Sequence, residues 1–144
     1  MTAHMKRFPV IATALLALLL LLPAATPGMT RHAVVIKYRA AKFGPILATP
    51  KKQALYYWTV EKRAGGKIRC TGGCAKAWPP LIVRNRADVP RTVSGIRGTF
   101  GVVHRPDGKL QVTYSGLAVY TYGNERPTQV LCDDVNGWFV VRLK

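Results

Sequence analysis

The chain is short of acid. Six Asp and Glu stand against 22 Lys and Arg in 144 residues, a formal net charge of +16, and all six acids lie after residue 60. So few carboxylates leave little material for the paired acids of hydrolytic chemistry, and the imbalance favours anionic partners. Serine is scarcer still: Ser94 and Ser115 each precede a glycine, and neither sits in the Gly-x-Ser-x-Gly elbow that presents a nucleophile. Only His104 lies beyond residue 45, and the last methionine is Met29, so a metal centre would lack its usual partners for cysteine. Gly65-Gly66 and Gly72-Gly73 lack the strand-to-helix setting and the Gly-Lys-Ser/Thr ending of a phosphate cradle. The cations are scattered rather than clustered, and no nucleic-acid-binding module is recognisable. These absences lead us to expect no catalytic residue, no cofactor, no metal site, no enzyme activity and no specific nucleic acid.

One long apolar run is present. Lys6 and Arg7 precede Phe8–Leu22, and Pro23-Ala24-Ala25-Thr26-Pro27-Gly28 follows, the layout of a secretory signal. A signal peptide over 1–25, cut near Ala25, is expected. The alternative is an uncleaved anchor, because the run approaches the roughly 20 residues that span a bilayer. The first cysteine is Cys70, so lipid attachment at a signal-peptide cysteine is not expected. Without residues 1–25, 20 Lys and Arg face six acids, a net charge of +14. The expected location is exported: secreted, periplasmic or associated with the cell envelope, with membrane contact only through the N-terminal segment. Residues 26–45, with Arg31, Lys37, Arg39 and Lys42, are expected to form a basic tether, with Val34–Tyr38 a candidate strand within it. Residues 46–144 are enough for one domain.

A pattern occurs twice in that domain. Tyr56-Tyr57-Trp58-Thr59-Val60-Glu61 and Tyr120-Thr121-Tyr122-Gly123-Asn124-Glu125 share an aromatic-x-aromatic-x-x-Glu signature at a constant offset of 64 residues. Each copy is followed by a cysteine and then a tryptophan, Cys70 and Trp78 in the first, Cys132 and Trp138 in the second. An internal duplication follows, with repeat 1 over about 46–84 and repeat 2 over about 99–144.

Around the repeats the chain alternates strand-forming stretches with turn residues. Candidate strands are Ile46–Thr49, Ala54–Val60, Leu81–Arg84, Thr99–His104, Lys109–Tyr114, Ala118–Tyr122 and Trp138–Arg142. Arg105-Pro106-Asp107-Gly108 has the turn chemistry of a hairpin, and Ser115-Gly116 adds a second turn, giving a three-strand meander. The one helical candidate is a short turn around Gly73–Trp78, stopped by Pro79-Pro80. The fold class is therefore mostly β: a small single domain of two related antiparallel repeats.

Three cysteines in an exported chain favour a disulfide and leave one over. Cys70 and Cys74 enclose two glycines and can close a short loop; Cys132 could instead pair with either of them and staple the repeats, or the thiols could form a redox-active or metal-binding set. Glu61 and Glu125 are either ion-pair partners and hydrogen-bond acceptors or, brought together by the duplication, an acid–base pair. Tyr56 and Trp58, like Tyr120 and Tyr122, alternate along a strand and share a face, as core or as a stacking platform for sugar rings.

The block Cys70-x-x-x-Cys74-Ala75-x-x-Trp78-Pro79-Pro80, with the two aromatic motifs, Arg105-Pro106-Asp107-Gly108 and Asp134-Val135-Asn136-Gly137-x-Phe139, resembles the bacterial secreted repeat of unknown function family over about 46–142. Members of that family are predicted lipoproteins with a Tyr-x-aromatic-x-x-Asp motif. The resemblance implies an exported, β-rich, two-repeat domain and no established activity. Here the motif acid is Glu in both copies, and the cysteine for lipid attachment is missing. The function expected is a non-enzymatic envelope module that binds an anionic envelope component or an envelope protein; the alternative is a redox or metal-handling accessory using Cys70, Cys74 and Cys132.

Overall fold

Short strands divided by tight turns make up the protein, as its β-branched and aromatic content demands. The computed structural model describes residues 33–144, so the signal-peptide and anchor readings concern residues outside the described ones. The element order is β1 (Ile36–Ala40), β2 (Gly44–Ala48), β3 (Tyr56–Trp58), α1 (Thr59–Arg63), α2 (Gly73–Ala77), β4 (Ile82–Val83), β5 (Phe100–His104), β6 (Leu110–Tyr114), β7 (Leu117–Ala118) and β8 (Trp138–Val140). Every strand pair is antiparallel. Among the described residues no helix is long and apolar enough to cross a membrane.

Each half opens with a hairpin. β5 and β6 pair with Val102 opposite Val112, around the Arg105–Gly108 turn, where Gly108 takes a φ of +80°. β1 and β2 pair with Tyr38 opposite Ile46. This second hairpin corrects the expected tether over 26–45, because residues 36–45 are part of the fold. In β1 the outward Lys37 and Arg39 are exposed while Ala40, like Val35 just before the strand, is buried. The candidate strand at Val34–Tyr38 lies here as β1, with its basic residues on the solvent face.

The halves then exchange strands. β8, from the second half, pairs with β3 of the first, Tyr57 opposite Phe139; β4, from the first half, pairs with β6 of the second, Ile82 opposite Gln111. Two closed rings of backbone hydrogen bonds result. Leu47 N–H donates to Val141, Val141 N–H to Leu55 and Leu55 N–H to Leu47, at 2.8–3.0 Å; Leu81, Val119 and Val112 repeat the ring at 2.9–3.1 Å. Leu55 and Val119 occupy equivalent repeat positions, as do Leu81 and Val141, so a pseudo-two-fold axis relates the rings. On that axis Tyr56 and Tyr120 exchange backbone bonds, 2.8 Å and 3.0 Å. Each ring contains one residue from the other half.

Several expected strands shorten. The strand expected over Ala54–Val60 ends at Trp58, and α1 follows despite β-branched Thr59 and Val60. Gly65 and Gly66, both at positive φ, let the chain turn back, and Gly66 N–H closes on the Glu61 carbonyl at 2.8 Å. The segment expected as Ala118–Tyr122 is strand only over Leu117–Ala118 before Tyr120 bridges to Tyr56 and Pro80. The turn expected near Gly73–Trp78 is α2, and Trp78 is its C-cap.

Two buried clusters straddle the exchange. One gathers Tyr56, Trp78, Tyr120 and Trp138; the other gathers Leu47, Leu55, Val112, Val119 and Val141. Each draws on both halves, so neither half holds a complete core.

Candidate functional site

The repeated motifs meet at the pseudo-two-fold axis. β3 places Tyr56 inward, and the tight turn of α1 three residues later turns Glu61 back towards the core; both are buried. In the second half Tyr120 is buried likewise, and a turn closed by Glu125 N–H on the Tyr122 carbonyl (3.1 Å) delivers Glu125 to the matching place.

The tyrosines and glutamates cross over. Tyr56 Oη donates to Glu125 Oε1 at 2.5 Å, and Tyr120 Oη donates to Glu61 Oε1 at 2.7 Å. Glu61 Oε1 also accepts the amides of Arg69 (2.8 Å) and Cys70 (3.0 Å), and Glu125 Oε1 accepts the amide of Leu131 (2.6 Å). Each carboxylate thus binds a tyrosine of the other repeat and holds the loop ahead of its own cysteine. Burial raises both phenols, reinforced by their glutamate partners. Both Oε2 atoms are buried without a hydrogen-bond partner.

Burial also raises the Glu125 carboxyl above its ordinary value of 4.5, against the lowering bonds from Tyr56 and Leu131. A carboxyl raised in this way supports the fold while protonated. Its contribution is full below about pH 4.5 and is lost as pH rises through the folded value. Glu125→Gln keeps an acceptor for Tyr56 and cannot ionise. In urea titrations at pH 4.5 and 7, wild type is expected to lose stability relative to Glu125→Gln as pH rises; a constant difference would contradict this reading.

The tryptophans complete the axis. Trp78 and Trp138 stack at 3.9 Å and 8°, and Trp58 and Tyr122 extend the stack at 5.2 Å and 4.8 Å. Tyr56 meets Trp78 edge-on and Tyr120 meets Trp138 edge-on, at 5.3 Å and 5.1 Å. Trp58 and Tyr122 at the ends are half-buried, whereas Tyr56 and Tyr120 are fully covered. The four motif aromatics therefore act in packing at the repeat junction.

Cys70 and Cys74 form a disulfide, and Cys132 is a buried free thiol, so no bond staples the repeats through Cys132. Cys70 and Cys132 are repeat equivalents, each next to the glutamate-bound loop; the second repeat has no counterpart of Cys74. Burial and the charge of Glu125 raise the Cys132 thiol, which suppresses thiolate at neutral pH. Opening the bridge with Cys74→Ser is expected to cost about 2 kcal/mol, the loop-closure value for so short a ring, in urea unfolding. Cys132 should react with iodoacetamide only once the protein unfolds. Rapid modification of native protein would contradict its burial.

A buried polar link escaped the sequence reading. Arg105 Nη2 donates to the Cys70 carbonyl (2.8 Å) and Nη1 to Gln111 Oε1 (2.5 Å), while Gln111 Nε2 donates to the Val119 carbonyl (2.9 Å). Arg105 stands beside a turn, and Gln111 in a strand, without a local signal of burial. Among the described residues, no three His, Cys, Asp or Glu side chains gather as a metal site.

No curated protein and no solved structure matches the chain. Residues 37–82, from within β1 into β4 and so nearly one whole repeat unit, match the family model described as a secreted repeat of unknown function, which supports an exported protein.

Proposed function

We propose that the protein is a non-enzymatic binding module of the cell envelope that holds an anionic envelope component on a cationic surface. The observation that carries this reading is where the charges sit. Every lysine and arginine from Lys37 onward except Arg105 is exposed, whereas Glu61 and Glu125, a third of all the acids, are buried at the repeat junction. Of the remaining acids, Asp133 pairs with Arg142 and Asp107 with Arg105. Asp88 is engaged by the Asn85 amide in a capping box. The connector between the repeats carries Arg84, Arg86, Arg91 and Arg97 beside that single occupied acid.

The arrangement supports binding over catalysis. Each glutamate is engaged with a tyrosine and backbone amides from inside the core, where no substrate reaches it. The closed Cys70–Cys74 bridge and the raised Cys132 thiol weigh against the redox alternative.

The test is retention on an immobilised polyanion and on anionic vesicles across a salt series. Binding is expected to fall steeply between about 50 and 200 mM salt, because released counterions drive it. Replacing Arg84, Arg86, Arg91 and Arg97 by Gln should shift elution to lower salt. Retention independent of salt would overturn the proposal.

A further inference from the structure

We infer that a groove beside the β3–β8 pair is a saccharide-binding site that takes a pyranose ring of a glycan chain. The groove encloses about 500 Å³. Tyr57 and Phe139, paired across the two strands, line one wall with rings 23° apart and centroids at 5.9 Å; the half-buried Leu117 contributes apolar surface. Lys62, whose ammonium lies 5.9 Å from the Tyr57 ring centroid, and the exposed Ser115 and Asp134 supply polar groups to the same groove.

The duplication provides an internal control. Tyr56, Glu61, Cys70 and Trp78 all recur at equivalent places in the second half, because the junction needs them twice. The aromatic pair does not recur: the positions equivalent to Tyr57 and Phe139 are Thr121 and Pro79. Those two still make the backbone bond, Thr121 N–H to the Pro79 carbonyl at 2.9 Å. The fold therefore forms this pairing without rings, and two half-buried aromatics in one half alone are surplus to it.

The lining selects the ligand class. A purely apolar guest would strip water from Lys62 and Asp134 without replacing it, which is costly. The lining charges balance, Lys62 and Arg142 against Asp133 and Asp134, so the groove exerts no net pull on a simple anion. Asp133 is already engaged, accepting from Arg142 and from the Val140 amide (3.0 Å). A pyranose fits both demands: its C–H face packs on aromatic rings, and its hydroxyls both donate and accept. Binding sites of this kind pair apolar walls with a few placed polar groups.

This site does not depend on the cationic surface, and one experiment separates the two. Saturation-transfer difference NMR on the full protein at 150 mM NaCl uses neutral tetrasaccharides as probes, beginning with cellotetraose and chitotetraose. Transfer to ring C–H protons is expected for at least one probe. Tyr57→Ala and Phe139→Ala should weaken binding about fivefold or more. Asp134→Asn, at an exposed position, should weaken it with the fold intact. Arg86→Gln with Arg91→Gln should leave it unchanged. Absence of transfer from every probe, or transfer indifferent to Tyr57, Phe139 and Asp134, overturns the site. Polyanion retention on the same samples reports separately on the charged surface, so either proposal can fail alone.

Discussion

A chain ending at Val83 is expected to remain unfolded, as is its complement starting at Arg84, and mixing the two is expected to restore native structure. The cause is the exchange of strands. In the first piece β4 has lost β6, β3 has lost β8, and the Leu47–Leu55–Val141 ring lacks its third member. Glu61 has lost the Tyr120 hydroxyl, and Trp78 has lost the Trp138 face. A piece of about 60 residues is marginal by size alone, and without its partner strands it buries too little apolar surface to offset its chain entropy. Circular dichroism and amide NMR of each piece, then of the mixture, check this. A cooperatively folded half would show that the repeats are independent units.

Truncating either motif glutamate is expected to be among the most damaging single changes. Glu61→Ala leaves the Tyr120 hydroxyl and the Arg69 and Cys70 amides without their acceptor, in a place where Glu61 is 1% exposed. Orphaned buried donors cost about 1–3 kcal/mol each. Allowing for relaxation and water entry, we expect about 3–5 kcal/mol in all, a large share of the roughly 5–15 kcal/mol that holds a domain together. The melting temperature should drop by roughly 15 °C. Glu125→Ala orphans Tyr56 and the Leu131 amide and should act in the same direction. Glu61→Gln keeps an acceptor and is expected to be much milder. Calorimetry on the variants separates the outcomes. A Glu61→Ala protein as stable as wild type would show that the carboxylate is not a structural acceptor.

The sequence disclosed the duplication, since Tyr-x-aromatic-x-x-Glu is dense enough to be seen twice. It also disclosed the β5–β6–β7 meander, whose turns carry Pro-Asp-Gly and Ser-Gly. The β1 strand was legible at Val34–Tyr38, though its basic solvent face suggested a tether, and α1 was hidden because Thr59 and Val60 favour strand locally while Glu61 must turn inward. The strand exchange has no local signature. The repeat offset drifts from 64 residues at the tyrosines to 62 at Cys70 and Cys132 and 60 at the tryptophans, which records shorter loops in the second repeat and says nothing of the exchange. Arg105 and Gln111 joined the core through partners from other segments, and no spacing announces that.

The central claim is that the two motifs bind each other across the repeat axis. Double-mutant cycles measure it directly, with Tyr120→Phe against Glu61→Ala and Tyr56→Phe against Glu125→Ala, read by urea unfolding at pH 7. Cross-repeat coupling of about 1 kcal/mol or more is expected for each pair, with the within-repeat control Tyr56→Phe and Glu61→Ala additive to about 0.5 kcal/mol. Coupling confined to the within-repeat pair, with none across the axis, would contradict the account.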